Sequence, residues 1–218
     1  GLLFYRDEWI WDDTAYVKAF LEEAEKEGYA VLPVFANGFI DESAGMPSLS
    51  EGLETYFMKD GQPVIDALVS TMKFSMLGAG KTSLPVLKKL GVPILSAYTL
   101  LTSEADWRKN PEGMNAVETS IAVALPELDG AIAGLPIAGR KKDVDVPIPE
   151  RVTQMVKKAG KWASLHQMKN ENKKIAIIFH NYPAKNSNIG SASGLDTMES
   201  TIRLMKEMKK AGYQMDFI

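Results

Sequence analysis

Short, unbroken apolar runs alternate along this chain with amphipathic helical stretches at intervals of roughly 30 residues. That is the pattern of βαβ units in a parallel, doubly wound sheet. Leu2-Leu3-Phe4-Tyr5 reads as the first strand. A helix follows, capped by Asp12 or Asp13, with Tyr16, Val17, Phe20, Leu21 and Ala24 as its apolar stripe and Gly28 as its stop. Further strands are expected at 30–35, 64–69, 92–96 and 131–137, with Pro33 marking an edge strand or a strand end. Helices are expected at 48–59, where Ser48 or Ser50 precedes Glu51, and at 83–90, 115–125 and 149–168. The clearest unit comes last. Ile175, Ala176, Ile177, Ile178 and Phe179 suit a strand covered on both faces. A polar loop of Asn, Ser and Gly residues follows, then a helix opened by Asp196 or Thr197 with Glu199 behind it.

The fold class expected is α/β: a doubly wound parallel sheet of Rossmann or flavodoxin-like type, with the start of a second α/β domain. Gly139-Arg140-Lys141-Lys142 and the Pro147/Pro149 pair read as a linker. They divide the chain into an α/β domain at 1–140, a linker and connecting helix at 141–171, and the opening βαβ of a second domain at 172–218. The chain starts without Met and stops inside what reads as a further strand, so a piece of a larger protein is expected.

Composition narrows the function classes. Apolar residues at 45% and charged residues at 24% specify a packed core rather than disorder. A net charge of −3 argues against a nucleic-acid binder, which carries a basic surplus. The absence of cysteine excludes thiol nucleophiles, iron–sulfur ligation and disulfides, and leaves the cytoplasm as the default location. No apolar run reaches the ~20 residues a membrane span needs, and no secretory signal opens the chain.

Ligands of open α/β sheets bind beyond the carboxyl ends of the strands. His180, Asn181 and Tyr182 stand at such an end, followed by Asn186, Asn188, Gly190 and Ser191. The other histidine, His166, lies in a basic, polar helix and reads as exposed or packing. Glu127 and Asp129, in PELDG, are two carboxylates fixed between Pro126 and Gly130. In a water-poor pocket one of them can hold a raised pKa and exchange protons, and carboxylates also suit hard divalent cations. The plainer alternative is a solvated Glu127 beside an Asp-Gly turn. Gly78-Ala79-Gly80-Lys81-Thr82-Ser83 imitates a phosphate-binding loop, but Ser75 stands where the first glycine belongs. Arg6 and Arg140 can each clamp a carboxylate. Trp9, Trp11, Trp107 and Trp162 are dispersed and read first as core.

The run KKIAIIFHNYPAKNSNIGSASGLDTMESTIRLMKEMKKAGY resembles the large subunit of aerobic cobaltochelatase (CobN type) and the related porphyrin-binding subunit of magnesium chelatase. So do LLFYRDEW, YAVLPVF, VIDALVSTMKFSM, ALPELDGAIAGLPIAGR, VPIPERV and KWASL, in the family's order over nearly the whole chain. The resemblance implies a fragment of a tetrapyrrole-binding subunit that inserts Co2+, or alternatively Mg2+, while AAA+ partner subunits hydrolyse the ATP. It implies catalytic roles for Glu127, His180 and Asp129, with Glu127 and His180 receiving the entering metal. Asn181, Asn188, Gly190 and Arg140 would contact the substrate. His180-Asn181-Tyr182-Pro183 resembles the cobalt-type version. Readings of other classes are a two-lobed small-ligand binding module and, last, a P-loop NTPase.

Overall fold

The computed structural model describes residues 1–37, 45, 47–76 and 83–216, without the side chains of 83 and 84. Two compact units divide it, residues 1–166 and 167–218.

The first unit is built on a six-stranded sheet. Its strands are β1 (Leu2–Tyr5), β2 (Pro33–Ala36), β5 (Leu68–Ser70), β6 (Ile94–Thr99), β7 (Ala131–Lys141) and β8 (Val144–Pro147), in the order β2-β1-β5-β6-β7-β8. Every neighbouring pair is parallel except β7–β8. Between β2 and β5 lies a short antiparallel hairpin, β3 (Met58–Lys59) with β4 (Gln62–Pro63); β3 takes the last residues of the helix expected at 48–59, and the strand expected at 64–69 forms only from Leu68 on, as β5. Without β8 this is the doubly wound order of flavodoxin-like folds, so the expected α/β class holds.

Strand alternation divides the core into two layers. Leu2 and Phe4 of β1, Val69 of β5, Leu95 and Ala97 of β6, and Leu135 and Ile137 of β7 face one way. They pack on Tyr16, Val17 and Phe20 of α2 (Ala15–Lys26) and on Val152, Met155 and Val156 of α8 (Pro149–Gln167). Leu3, Leu68 and Ile94 face the other way, onto Leu53 and Phe57 of α3 (Leu49–Phe57) and Val86, Leu87 and Leu90 of α4 (Ser83–Leu90). Each fully buried leucine contributes roughly 1.5–3 kcal/mol of hydrophobic stabilisation before entropy is counted. The expected capping box at α3 is present: the Ser48 hydroxyl accepts from Glu51 N–H while the Glu51 carboxylate accepts from Ser48 N–H.

The segment read as a linker is an antiparallel hairpin, β7–β8, that completes the sheet. Its basic residues sit at the turn, and its glycine has a packing reason. A Cβ on Gly139 would lie 2.7 Å from the Glu104 nitrogen, the first residue of α5 (Glu104–Lys109). The helix expected only as a connection, α8, is a layer of the first unit's core.

In the second unit, α9 (Thr197–Lys210) starts as expected, with the Asp196 carboxylate accepting from Glu199 N–H at 2.9 Å. The buried strand expected at 175–179 does not form. Residues 173–180 carry no strand pairing, and Ile175 and Ile178 are 53% and 90% exposed. Ile175 and Ile177 share only a shallow groove with Met205 and Met208 of α9. An apolar run becomes a ladder strand only beside a neighbour that satisfies its backbone groups, and among the described residues this unit supplies none.

Candidate functional site

From β1 the chain crosses to β2 on one side and later re-enters at β5 on the other. The carboxyl ends of β1 and β5 therefore flank the point where the winding reverses, which is where open α/β sheets leave a crevice. Tyr5 ends β1, and the five-residue helix α1 (Arg6–Ile10) starts at once, bringing Glu8 back over the strand end. Glu8 Oε2 accepts from Tyr5 N–H at 3.2 Å and from the Tyr16 hydroxyl at 2.5 Å. Tyr16 Oη lies 3.1 Å from Thr71 Oγ1, just past β5, and Thr71 in turn donates to the Leu3 carbonyl at 3.3 Å. The Tyr5 hydroxyl donates to the Lys73 carbonyl at 2.7 Å. Tyr16 and Thr71 are almost wholly buried, while Glu8 and Lys73 are half-buried.

Burial dominates the electrostatics of this cluster. It pushes Glu8 up to about 7, against the hydrogen bonds from Tyr16 and Tyr5, which favour the carboxylate. Burial likewise pushes Tyr5 up to about 12, and it carries Tyr16 well above the ordinary phenol range with the Glu8 charge adding to it. Lys73 is lowered by burial, and the nearby carboxylates of Asp145, Glu8 and Glu118 oppose that. A carboxyl group balanced near neutrality beside a partly desolvated ammonium can exchange protons at working pH.

Arg140 borders the cluster at the end of β7. Its Nη1 lies 3.1 Å from Asp13 and 3.0 Å from Asp145, its Nη2 donates to the Asp143 carbonyl, and Asp145 N–H donates to Asp13 Oδ1 at 2.7 Å. Asp13 and Asp145 are both buried. The expected helix-capping role of Asp12 or Asp13 is not taken up: Thr14 is the N-cap of α2 and makes no side-chain cap bond. Asp13 instead ties the α1–α2 turn to the hairpin. The guanidinium expected to clamp substrate is thus engaged by two carboxylates of its own chain.

Aromatic surface lies at the same end. Trp9 of α1 stacks on Phe35 of β2 with ring centroids 6.0 Å apart, and Phe4 meets Phe35 edge-on. Trp9 and Trp11 are 61% and 79% exposed, so neither is the core residue that tryptophan usually is.

The other expected site residues lie elsewhere. Glu127 is exposed on α7 (Leu125–Leu128), which continues the helix expected at 115–125 through α6 (Ala116–Thr119) and a π-helical turn at Ser120–Ala124. Asp129 is buried and accepts from the Ser75 hydroxyl at 2.6 Å and from Met76 N–H at 2.5 Å, which anchors that segment. Both precede Ala131, which pairs with Ile94, the first residue of β6. They therefore stand at the amino-terminal end of the strands. His180, Asn181, Asn188 and Gly190 belong to the second unit. There the loop holds itself: Gly190 N–H donates to the His180 carbonyl at 2.7 Å, Lys185 N–H to Asn181 Oδ1 at 3.3 Å, and Asn188 Nδ2 to the Pro183 carbonyl at 2.8 Å. Gly190 has φ +68°, and a Cβ there would meet Thr197 Cγ2 at 2.9 Å. The phosphate-loop imitation at 78–82 lies outside the described residues.

Glu8, Tyr16, Lys73, Asp13 and Asp145 do not stand out in the sequence as site residues. The signal that could have found two of them, Glu8 and Lys73, is the one applied to His180. Polar side chains sit directly past a buried strand in Tyr5-Arg6-Asp7-Glu8 and in Ser70-Thr71-Met72-Lys73, while Tyr16 reads as helix core.

A profile of the family described as CobN/Magnesium Chelatase matches residues 1–218. An uncharacterized protein of Methanocaldococcus jannaschii is 37% identical over all of this chain and 19% of its own length. A magnesium-chelatase subunit of Rhodobacter capsulatus is 32% identical over 99% of this chain and 19% of its own length. The catalytic subunit of cobaltochelatase from Mycobacterium tuberculosis superposes with a TM-score of 0.77 at 28% identity, covering 98% of this chain and 18% of that one. The chain thus spans about a fifth of the length of these proteins.

Proposed function

Because the chain belongs to the CobN/magnesium chelatase family, we propose that it is part of the large, tetrapyrrole-binding subunit of an ATP-dependent metal chelatase. Its partners are AAA+ subunits that hydrolyse ATP, and the macrocycle docks at the carboxyl ends of β1 and β5. Cobalt insertion into a corrin precursor of the hydrogenobyrinate a,c-diamide type is the first reading, on the strength of His180-Asn181-Tyr182-Pro183. Magnesium insertion into protoporphyrin IX is the second, favoured by the 32% identity with a magnesium-chelatase subunit.

The observation that carries the docking site is the exposed Trp9–Phe35 step next to half-buried acid–base groups at the switch point. A planar, largely apolar ring gains from stacking on an exposed indole. Metal insertion also requires that the ring N–H protons leave and that water be shed from the ion, and groups held out of bulk water can assist both. The resemblance assigns these tasks to Glu127 and His180. Glu127 lies exposed at the opposite end of the strands, so the macrocycle is placed here against the β1–β5 end instead.

The test is an absorbance and fluorescence titration of the full-length subunit with a cobyrinic-type corrinoid and with protoporphyrin IX, with Mg-ATP as control. Saturable binding of one tetrapyrrole is expected, weakened about tenfold by Trp9→Ala. Tight binding of Mg-ATP with neither tetrapyrrole bound would overturn the reading.

A further inference from the structure

We infer that Glu8 is the catalytic residue that takes the ring N–H protons as the metal ion enters the macrocycle. This rests on the chelatase reading above and goes beyond it, because it names the acceptor and the atom that receives the proton.

The geometry gives the two carboxylate oxygens different tasks. Both hydrogen bonds to Glu8, from Tyr5 N–H and from the Tyr16 hydroxyl, land on Oε2. Oε1 carries no hydrogen bond among the described residues, and it is not among their fully buried, unpartnered side-chain atoms, so it is not wholly shut off from its surroundings. Oε2 is therefore the orienting oxygen and Oε1 the accepting one. The orientation is fixed from behind. The Tyr16 hydroxyl has a single proton and donates it to Glu8 Oε2, the shorter of its two contacts, which favours the carboxylate form able to accept a proton.

The charged and titratable groups packed around Glu8 come from several elements. Tyr16 of α2 donates to it, Lys73 beyond β5 favours its charged form, and Asp145 of β8 disfavours it. Tyr5 of β1 supplies a backbone donor. The Asp13–Arg140 pair is tied to Asp145 and so sets the charge on that side. Burial outweighs all of these and poises Glu8 at about 7, where it releases a proton to water as readily as it accepts one.

The step balances. The divalent ion enters, the ring N–H bonds break (two in a porphyrin, one in a corrin), and the electron pairs left on nitrogen bind the metal. Each proton passes in turn to Oε1 and then to solvent, so Glu8 returns to the carboxylate between transfers and no oxidant or reductant is needed.

A purely structural Glu8, closing the first turn of α1, predicts that only stability responds to its removal. The two roles separate in the pH profile of metal insertion by the full-length subunit with its ATPase partners, using Co2+ with hydrogenobyrinate a,c-diamide and Mg2+ with protoporphyrin IX. The wild-type rate is expected to rise with pH through an acidic limb near 7. Glu8→Gln is expected to bind the macrocycle normally, to lose that limb and to insert metal about a hundredfold more slowly. Tyr16→Phe removes a hydrogen bond that favours the carboxylate, so its limb is expected to move up by about one pH unit. Glu8→Gln inserting metal at the wild-type rate, or Tyr16→Phe leaving the limb in place, overturns the proposal. Should Glu8→Gln fail to bind the macrocycle, Tyr16→Phe alone decides. A wild-type subunit that binds no tetrapyrrole at all defeats the chelatase reading, and this inference with it.

Discussion

At the scale of single residues, Glu8 shows how burial can hold a carboxyl group off its ordinary behaviour even with the Lys73 ammonium opposing the shift. Desolvation raises its folded pKa from the ordinary 4.5 to about 7, while the unfolded chain keeps the ordinary value. Between roughly those limits the folded state binds more protons than the unfolded state, so the contribution of Glu8 to stability is complete below the window and is lost as pH rises through it. Glu8→Gln cannot ionise and should escape that loss. The variant is expected to gain on the wild type, by something on the order of 2 kcal/mol, as pH is raised from about 4 to about 8. Urea midpoints at both pH values measure this, and a difference between the proteins that stays constant with pH would contradict it. Asp13 and Asp129 illustrate the opposite case. Both look available in the sequence, as a helix cap and as an acid–base partner, and both are buried acceptors that tie distant segments together. Such long-range pairings leave no local mark in a sequence, since Arg140 stands 127 positions from Asp13.

At the scale of elements, close approach between strand and helix decides where glycine is required. A methyl group on Gly139 of β7 would press against the Glu104 backbone at the start of α5, which cannot yield without moving the helix. On Gly160 of α8 it would meet the Tyr29 ring, 42% exposed and able to swing outward. Gly139→Ala is expected to destabilise the first unit by about 1–3 kcal/mol, more than Gly160→Ala does. Chemical denaturation of both variants measures it, and the reverse order would contradict this account of the packing. Amphipathic periodicity made α2, α3, α8 and α9 legible, because their buried faces repeat within the segment itself. The strand expected at 175–179 failed for the complementary reason: apolarity marks what a strand can bury, but pairing depends on neighbours elsewhere in the chain. The same limit explains the basic 139–142 segment. Taken locally it resembles a linker, yet it pairs with residues 144–147 at the sheet edge.

At the scale of the whole molecule, the strand order is what turns scattered residues into a site. The order β2-β1-β5-β6-β7 places a winding reversal between β1 and β5, and the acid–base cluster and the exposed aromatic step both occur at its carboxyl end. The α/β class and the family resemblance were legible in the sequence, from strand–helix alternation and from ordered motifs such as LLFYRDEW and PELDG. The position of the site was not, because it depends on which strands become neighbours. Among the described residues no helix is long and apolar enough to cross a membrane. The most direct measurement is hydrogen exchange on the full-length subunit with and without saturating tetrapyrrole. Slower exchange confined to residues 5–11 and 71–76 is the predicted result. Unchanged exchange there, with protection instead at the amino-terminal ends of the strands around 28–32 and 64–67, would contradict the account.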